Sequence, residues 1–191
     1  MIKRISRRLQ RCYKVAASIN HAAPTQLQQL KTQLADEMGK PVGLHTMGIP
    51  AAVSTLGVIV SFAIPQLWLG YGVLAALGQP AERVFVWVVL VALLFAGING
   101  VTMFMIGKGS MRAVRLHLTL AVISLILTAA YLLAALSGSA APGVSLTAAL
   151  VSIVMLGLSG SGSCILSTAF YKMLLFTLHN RAWRKLISQT R

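Results

Sequence analysis

Acidic side chains are almost missing from this chain: Asp36, Glu37 and Glu82 are the whole set in 191 residues, and none falls in a long apolar stretch. Paired carboxylates for general acid–base work or a proton relay are therefore excluded from the apolar segments. Charge of either sign is scarce, at 10% of residues, where a soluble domain carries about 25%. A surface facing water all round cannot be built from that stock. Cysteine is limited to Cys12 and Cys164; their spacing fits no metal or redox motif, and free thiols are expected. No P-loop, GxSxG or CxxC motif occurs, and His21, His45, His117 and His179 are scattered. His45 and His117 fall near the same ends of two apolar segments, where they read as interfacial side chains rather than a metal or haem pair. The chain is read as a non-enzyme without cofactor, metal or catalytic residue.

What is present is hydrocarbon. Hydrophobic residues make up 57% of the chain, and its mean hydropathy is +0.78. Four segments, approximately 46–66, 84–106, 116–136 and 146–170, are long enough to cross a hydrocarbon core of about 30 Å, which takes about 20 helical residues. Backbone groups in lipid must pair internally, so the segments are expected to be helices. The fold class that follows is an all-α polytopic membrane protein: a four-helix transmembrane bundle at 43–176, an N-terminal cytosolic amphipathic helical hairpin at 1–42, and a cytosolic basic tail at 177–191. The first apolar run starts too late, and is too long, for a signal peptide, so the N-terminus is expected to be retained. No internal repeat is evident, which argues against a transporter built from inverted halves.

The net charge of +14 is distributed unevenly. With an even number of crossings, sixteen of the 17 Lys and Arg fall on one side and Arg83 alone on the other. The positive-inside bias makes the populated side cytoplasmic, and the expected location is a bacterial inner membrane with both termini inside. Direct nucleic-acid binding is the less economical account of the same charge. Trp68, Tyr71 and Trp87 then lie near the outer interface, and Tyr171 and Trp183 near the inner one. Pro65 removes a helical hydrogen bond and restricts Ile64. The stretch after it is either an interfacial or re-entrant piece or the end of a longer tilted span.

The stretch "GLSGSGSCILSTAF" at 157–170 resembles a linker by composition, yet splitting the last apolar segment there leaves two pieces too short to cross. It is therefore read as helix. Ser159, Ser163 and Ser167 share a face at four-residue spacing, as do Gly157 with Ser161 and Gly160 with Cys164. Small residues on every side either admit several close neighbours or mark a weak point lining a polar cavity. Asn99 sits at similar depth in the second span and needs partners for its amide. It is expected to bond the fourth span or a neighbouring subunit, with Gly97 and Gly100 allowing the approach.

Residues 1–20 form a divided amphipathic helix. Ile2, Ile5, Leu9, Tyr13, Ala16 and Ile19 gather on one side, and Lys3, Arg4, Arg7, Arg8, Arg11 and Lys14 on the other. A cationic face of this kind suits anionic lipids of the inner leaflet or a cytosolic protein partner. A second helix follows in "APTQLQQLKTQLADEMGKP", with Leu27, Leu30, Leu34 and Met38 as a narrow stripe. Three functions fit: a non-enzymatic, homo-oligomeric membrane component that holds or signals to a cytosolic partner, of the pore, secretion or defence type; a small ion or solute channel or transporter; and an immunity or exclusion protein.

Overall fold

Apolar runs of this length have one way to satisfy their backbones without water, and the chain takes it. The computed structural model describes residues 2–39, 43, 46–137 and 144–190, with the side chains of 2–5, 144–149, 152 and 190 outside that description. Among the described residues there is no strand. The α-helices are α1 (Ile2–His21), α2 (Pro24–Met38), α3 (Ile49–Ala76), α4 (Val84–Gly107), α5 (Met111–Leu136), α6 (Val144–Leu166) and α7 (Thr168–Thr190). Among the described residues three are long and apolar enough to cross a membrane: α3, α4 with the 3-10 turn Ala81–Arg83 before it, and α5. Ile153–Leu166 and Thr168–Gln189 make a fourth span only as a pair bent by 58°.

The break at Ser167 corrects the single helix expected over 146–170. The Gly-Ser stretch is helical, but the helix stops at Leu166. Ser167 ends it in two ways. Its N–H donates to Cys164 O at 3.0 Å, a tightened last turn, and its Oγ accepts the N–H of Phe170 at 3.0 Å, which caps the first turn of α7. Residues 177–190 thus continue α7, a helix with its own buried stripe of Phe170, Met173, Leu174, Leu178 and Ala182.

One helix, not a re-entrant piece, follows Pro65: α3 continues to Ala76, about 42 Å at 1.5 Å per residue. Proline has no N–H, so the carbonyl of Ser61, four residues earlier, loses its helical donor. Thr128 of α5 supplies a replacement, its Oγ1 donating to Ser61 O at 3.3 Å. Both α3 and α4 end on left-handed glycines. Gly78 has φ 63°, with Gln79 N–H on Leu74 O at 2.9 Å; Gly109 has φ 79°, with Ser110 N–H on Met105 O at 3.0 Å. These six-to-one bonds close the open carbonyls of each last turn, a conformation glycine adopts without penalty.

The chain divides into two compact units. One, the basic unit, comprises Met1–Val53, Thr102–Leu116 and Ser163–Arg191, and it holds sixteen of the 17 Lys and Arg. Within it α1 and α2 both pack on α7. The buried side of α1 is Cys12, Ala16 and Ile19, and that of α2 is Leu27, Leu34 and Met38. Leu9, Tyr13 and Leu30, expected on those faces, are half-buried.

The other, the apolar unit, comprises Ser54–Val101 and His117–Gly162. Val58, Phe62, Phe95 and Leu120 form its core, with the rings of Phe62 and Phe95 stacked at 4.0 Å between centroids. In this unit α3 and α6 cross at glycine. A Cβ on Gly57 would lie 2.6 Å from Gly157 O, and one on Gly157 would lie 2.8 Å from Ser61 N. No side chain fits between these backbones, so the two glycines set how closely the helices approach.

Candidate functional site

Three helices of the apolar unit each bring one polar side chain to a single buried point. Ser54 of α3, His117 of α5 and Ser161 of α6 are 0%, 1% and 3% exposed. Ser54 Oγ lies 2.7 Å from His117 Nε2 and 3.3 Å from Ser161 Oγ. Gly57 and Gly157, one turn away on α3 and α6, bring those helices close enough for the two serines to meet. His117 Nδ1 is buried without a partner among the described residues.

The cluster continues along α3 and α5. On α5, His117, Ser124 and Thr128 are buried at i, i+7 and i+11, one helical face. On α3, Ser54, Ser61 and Gln66 are buried, and Thr128 joins Ser61 as described. Trp87 of α4 donates its indole N–H to Gln66 O at 3.3 Å. Ser124 Oγ, Thr55 Oγ1 and Gln66 Oε1 are further buried polar atoms without a partner among the described residues. Hydroxyls, an amide and an imidazole thus run along helices that are otherwise mostly apolar.

His117 departs from the exposed, interfacial side chain expected: it is buried and bonded to a neighbouring helix. Its distance from Ser54 is that of a nucleophile and its base. A hydrolytic site also needs a group that orients the second imidazole nitrogen and access for substrate. Nδ1 has no such partner, and Ser54 is fully buried. What the arrangement does do is tie α3, α5 and α6 together and hold one titratable ring in an otherwise neutral interior. His45, its sequence-level companion, lies outside the described residues.

Asn99 is fully buried, and within the chain it bonds its own helix and not α6. Its Nδ2 donates to Phe95 O of its own helix at 2.9 Å, and its Oδ1 has no partner among the described residues. Gly97 and Gly100 do not mediate an approach within the chain: both are exposed, and a Cβ on either would meet nothing within 4 Å. The cause is angular. The buried stripe of α4 is Phe95, Asn99, Thr102 and Ile106, and glycines one residue after or two before Asn99 point away from it.

The Gly-Ser stretch divides by face in the same way. Gly157 and Ser161 are buried against α3, whereas Ser159, Gly160 and Ser163 are exposed and Ser167 half-buried at the break. Ser159 Oγ returns to Leu156 O of its own helix at 3.1 Å. The Cys164 thiol reaches Pro50 O at 2.8 Å.

In the basic unit, Arg7, Arg11 and Lys14 are exposed and Arg8 is half-buried; the side chains of Lys3 and Arg4 lie outside the described residues. Arg11 Nη2 pairs with Glu37 Oε2 at 2.7 Å, and the Tyr171 hydroxyl donates to Glu37 Oε1 at 2.7 Å. The Arg8 guanidinium lies 4.9 Å over the Tyr171 ring, and that of Arg115 lies 5.2 Å over Tyr13. Burial, and then the Glu37 charge, push the Cys12 thiol from its ordinary 9.0 up to about 12. Cations of α7 cap the ends of other helices. Lys185 Nζ donates to Ile19 O at 2.7 Å, and Arg181 to Asn20 Oδ1 and Gly109 O at 2.8 Å each. Arg184 donates to Lys108 O at 3.0 Å. A positive charge at a helix C-terminus stabilises it by about 0.3–1 kcal/mol.

No protein family, curated protein or solved structure matches the chain. Among the described residues no three His, Cys, Asp or Glu side chains come together as metal ligands. The sequence signal for the His117 cluster was its spacing with Ser124 and Thr128, matched by Ser54 and Ser61 seven apart on α3.

Proposed function

We propose that the chain is a non-enzymatic, multi-pass component of a bacterial inner membrane, with a four-span bundle, cytoplasmic termini and a basic helical base of α1, α2 and α7. In this reading the base faces anionic lipid and receives a cytosolic protein, and copies of the chain associate within the bilayer. One observation carries it: sixteen of the 17 Lys and Arg belong to one compact unit and Arg83 alone to the other. A chain obeying the positive-inside rule sorts its cations in this way. The exposed small residues Gly97, Gly100, Ser159, Gly160 and Ser163, with open space beside each of the glycines, supply faces for a further helix. Single cysteines placed at Ser6 and Gln189, probed with a membrane-impermeant maleimide on intact and opened cells, test the layout. Labelling of both only after opening supports it; labelling on intact cells refutes it.

A second reading, a proton or small-solute path, is favoured by the unpartnered polar atoms of Ser124, Asn99 and His117 inside the apolar unit. Buried polar atoms without partners are uncommon, and ionisable groups in membrane interiors mark pathways. Purified protein in liposomes loaded with a pH-sensitive dye tests it. Flux that disappears in His117→Gln supports the path, and equal flux in empty liposomes removes it.

A further inference from the structure

We propose that the groove where α1 meets the α6–α7 break binds one anionic glycerophospholipid. The groove is shallow and open, with a cavity volume of about 20 Å³, so a ligand lies along it and not inside it. Its walls are aliphatic and aromatic: Leu9 from α1, Ile165 and Leu166 from the last turn of α6, and Phe170 and Leu174 from the first turns of α7. Phe170 and Leu174 are 2% and 1% exposed and form a fixed floor, whereas Leu166 is 41% exposed and forms an open edge. Those side chains carry no hydrogen-bonding group. A hydrocarbon chain can lie there, and an extended peptide would leave its backbone unpaired.

The polar end of the groove is cationic. Arg8 lines it and is held over the Tyr171 ring, and Ser167 at the break contributes a hydroxyl. The nearby acid does not cancel Arg8: Glu37 is already ion-paired with Arg11 through one oxygen and accepts the Tyr171 hydroxyl through the other. Arg8 has no carboxylate partner among the described residues. A guanidinium without a carboxylate, placed beside an apolar trough, is complementary to a phosphate carried on acyl chains.

The inference deepens the proposed function and rests on it in one respect: the last residues of α6 are taken to lie at the cytoplasmic edge of the hydrocarbon. The ligand class itself comes from the groove.

Native mass spectrometry of the purified full-length protein, released from micelles containing phosphatidylglycerol or phosphatidylcholine of the same acyl chains, tests the site. The expected result is one retained phosphatidylglycerol per chain and no retained phosphatidylcholine. Arg8→Ala is expected to lower retention about fivefold, Arg8→Lys to restore part of it, and Arg7→Ala to leave it unchanged. A photoreactive phosphatidylglycerol, used on the unaltered protein, is expected to label the peptide containing Leu166 and Phe170. Equal retention of the two lipids, an equal loss in Arg7→Ala, or labelling elsewhere would overturn the site. So would a disulfide dimer in Leu166→Cys, which would make the groove an interface between copies. If the maleimide experiment places the termini outside while lipid retention keeps its headgroup selectivity, the proposed topology fails and the groove stands.

Discussion

The two units of this molecule face the same difficulty and resolve it with different chemistry. Each contains backbone carbonyls that its helices leave open. In the basic unit the ends of α1 and α4 are closed by the long cations Arg181, Arg184 and Lys185 of α7. In the apolar unit the carbonyl opened by Pro65 is closed by the neutral hydroxyl of Thr128, and the polar contacts join Ser54, His117 and Ser161. The choice follows the surroundings. A charged head is cheap where it keeps contact with water and costly inside a bundle, whereas a hydroxyl brings a donor without a charge. Ionic strength should therefore distinguish the units, since salt screens exposed charges and leaves buried neutral bonds alone.

The strongest way to break the contrast is to remove the contact that holds the apolar unit's helices together. Gly57→Leu should cost about 3 kcal/mol or abolish folding, because the new Cβ meets the Gly157 carbonyl. Gly160→Leu on the same α6 should change the monomer by no more than about 0.5 kcal/mol, since open space lies beside it. Thermal unfolding in detergent, read by circular dichroism, compares them. A smaller loss, about 1–2 kcal/mol, is expected for Thr128→Val, which leaves Ser61 O without its donor. Restoring the helical N–H with Pro65→Ala should absorb most of it, and equal losses in both backgrounds would show that the hydroxyl is not serving that carbonyl.

A double-mutant cycle of Ser54→Ala and His117→Leu should give a coupling of about 1 kcal/mol. The value should be the same at 50 mM and 500 mM salt, at both of which the neutral contact is unscreened. Lys185→Met should cost about 0.3–1 kcal/mol, and that cost should shrink in high salt. A salt-insensitive loss would mean that the stem of Lys185, not its charge, holds α1. The smallest effect near neutrality belongs to Cys12. Its folded pKa is raised, so its contribution is complete below about 9 and is lost as pH rises toward about 12. Cys12→Ala should flatten the fall in melting temperature across that interval.

How far the sequence was legible follows from what each residue signals locally. The helices and the three clear spans came from apolar length, and Ala16, Ile19, Leu27, Leu34 and Met38 from periodicity, which passed over the buried Cys12. The end of the last apolar segment was missed because Ser167 caps a new helix in three dimensions, while its neighbours "IL" and "TAF" carry no stop signal. Asn99 was legible as buried but not its partner, because an amide can turn back to a carbonyl four residues earlier as readily as across to another helix. His117 was the larger miss. Near the start of an apolar run a histidine looks interfacial, and its burial depends on the serine of α3 and on glycines that draw α6 close.

The Pro65–Thr128 arrangement has a consequence for how the chain is made. Ser61 and Thr128 are 67 residues apart, so α3 leaves the ribosome carrying a carbonyl whose donor has not yet been synthesised. At about 5–20 residues per second that interval lasts about 3–13 s, and throughout it the open oxygen is costly in hydrocarbon. The growing segment is expected to linger in the aqueous insertion channel until α5 arrives, so that the two enter lipid as a pair.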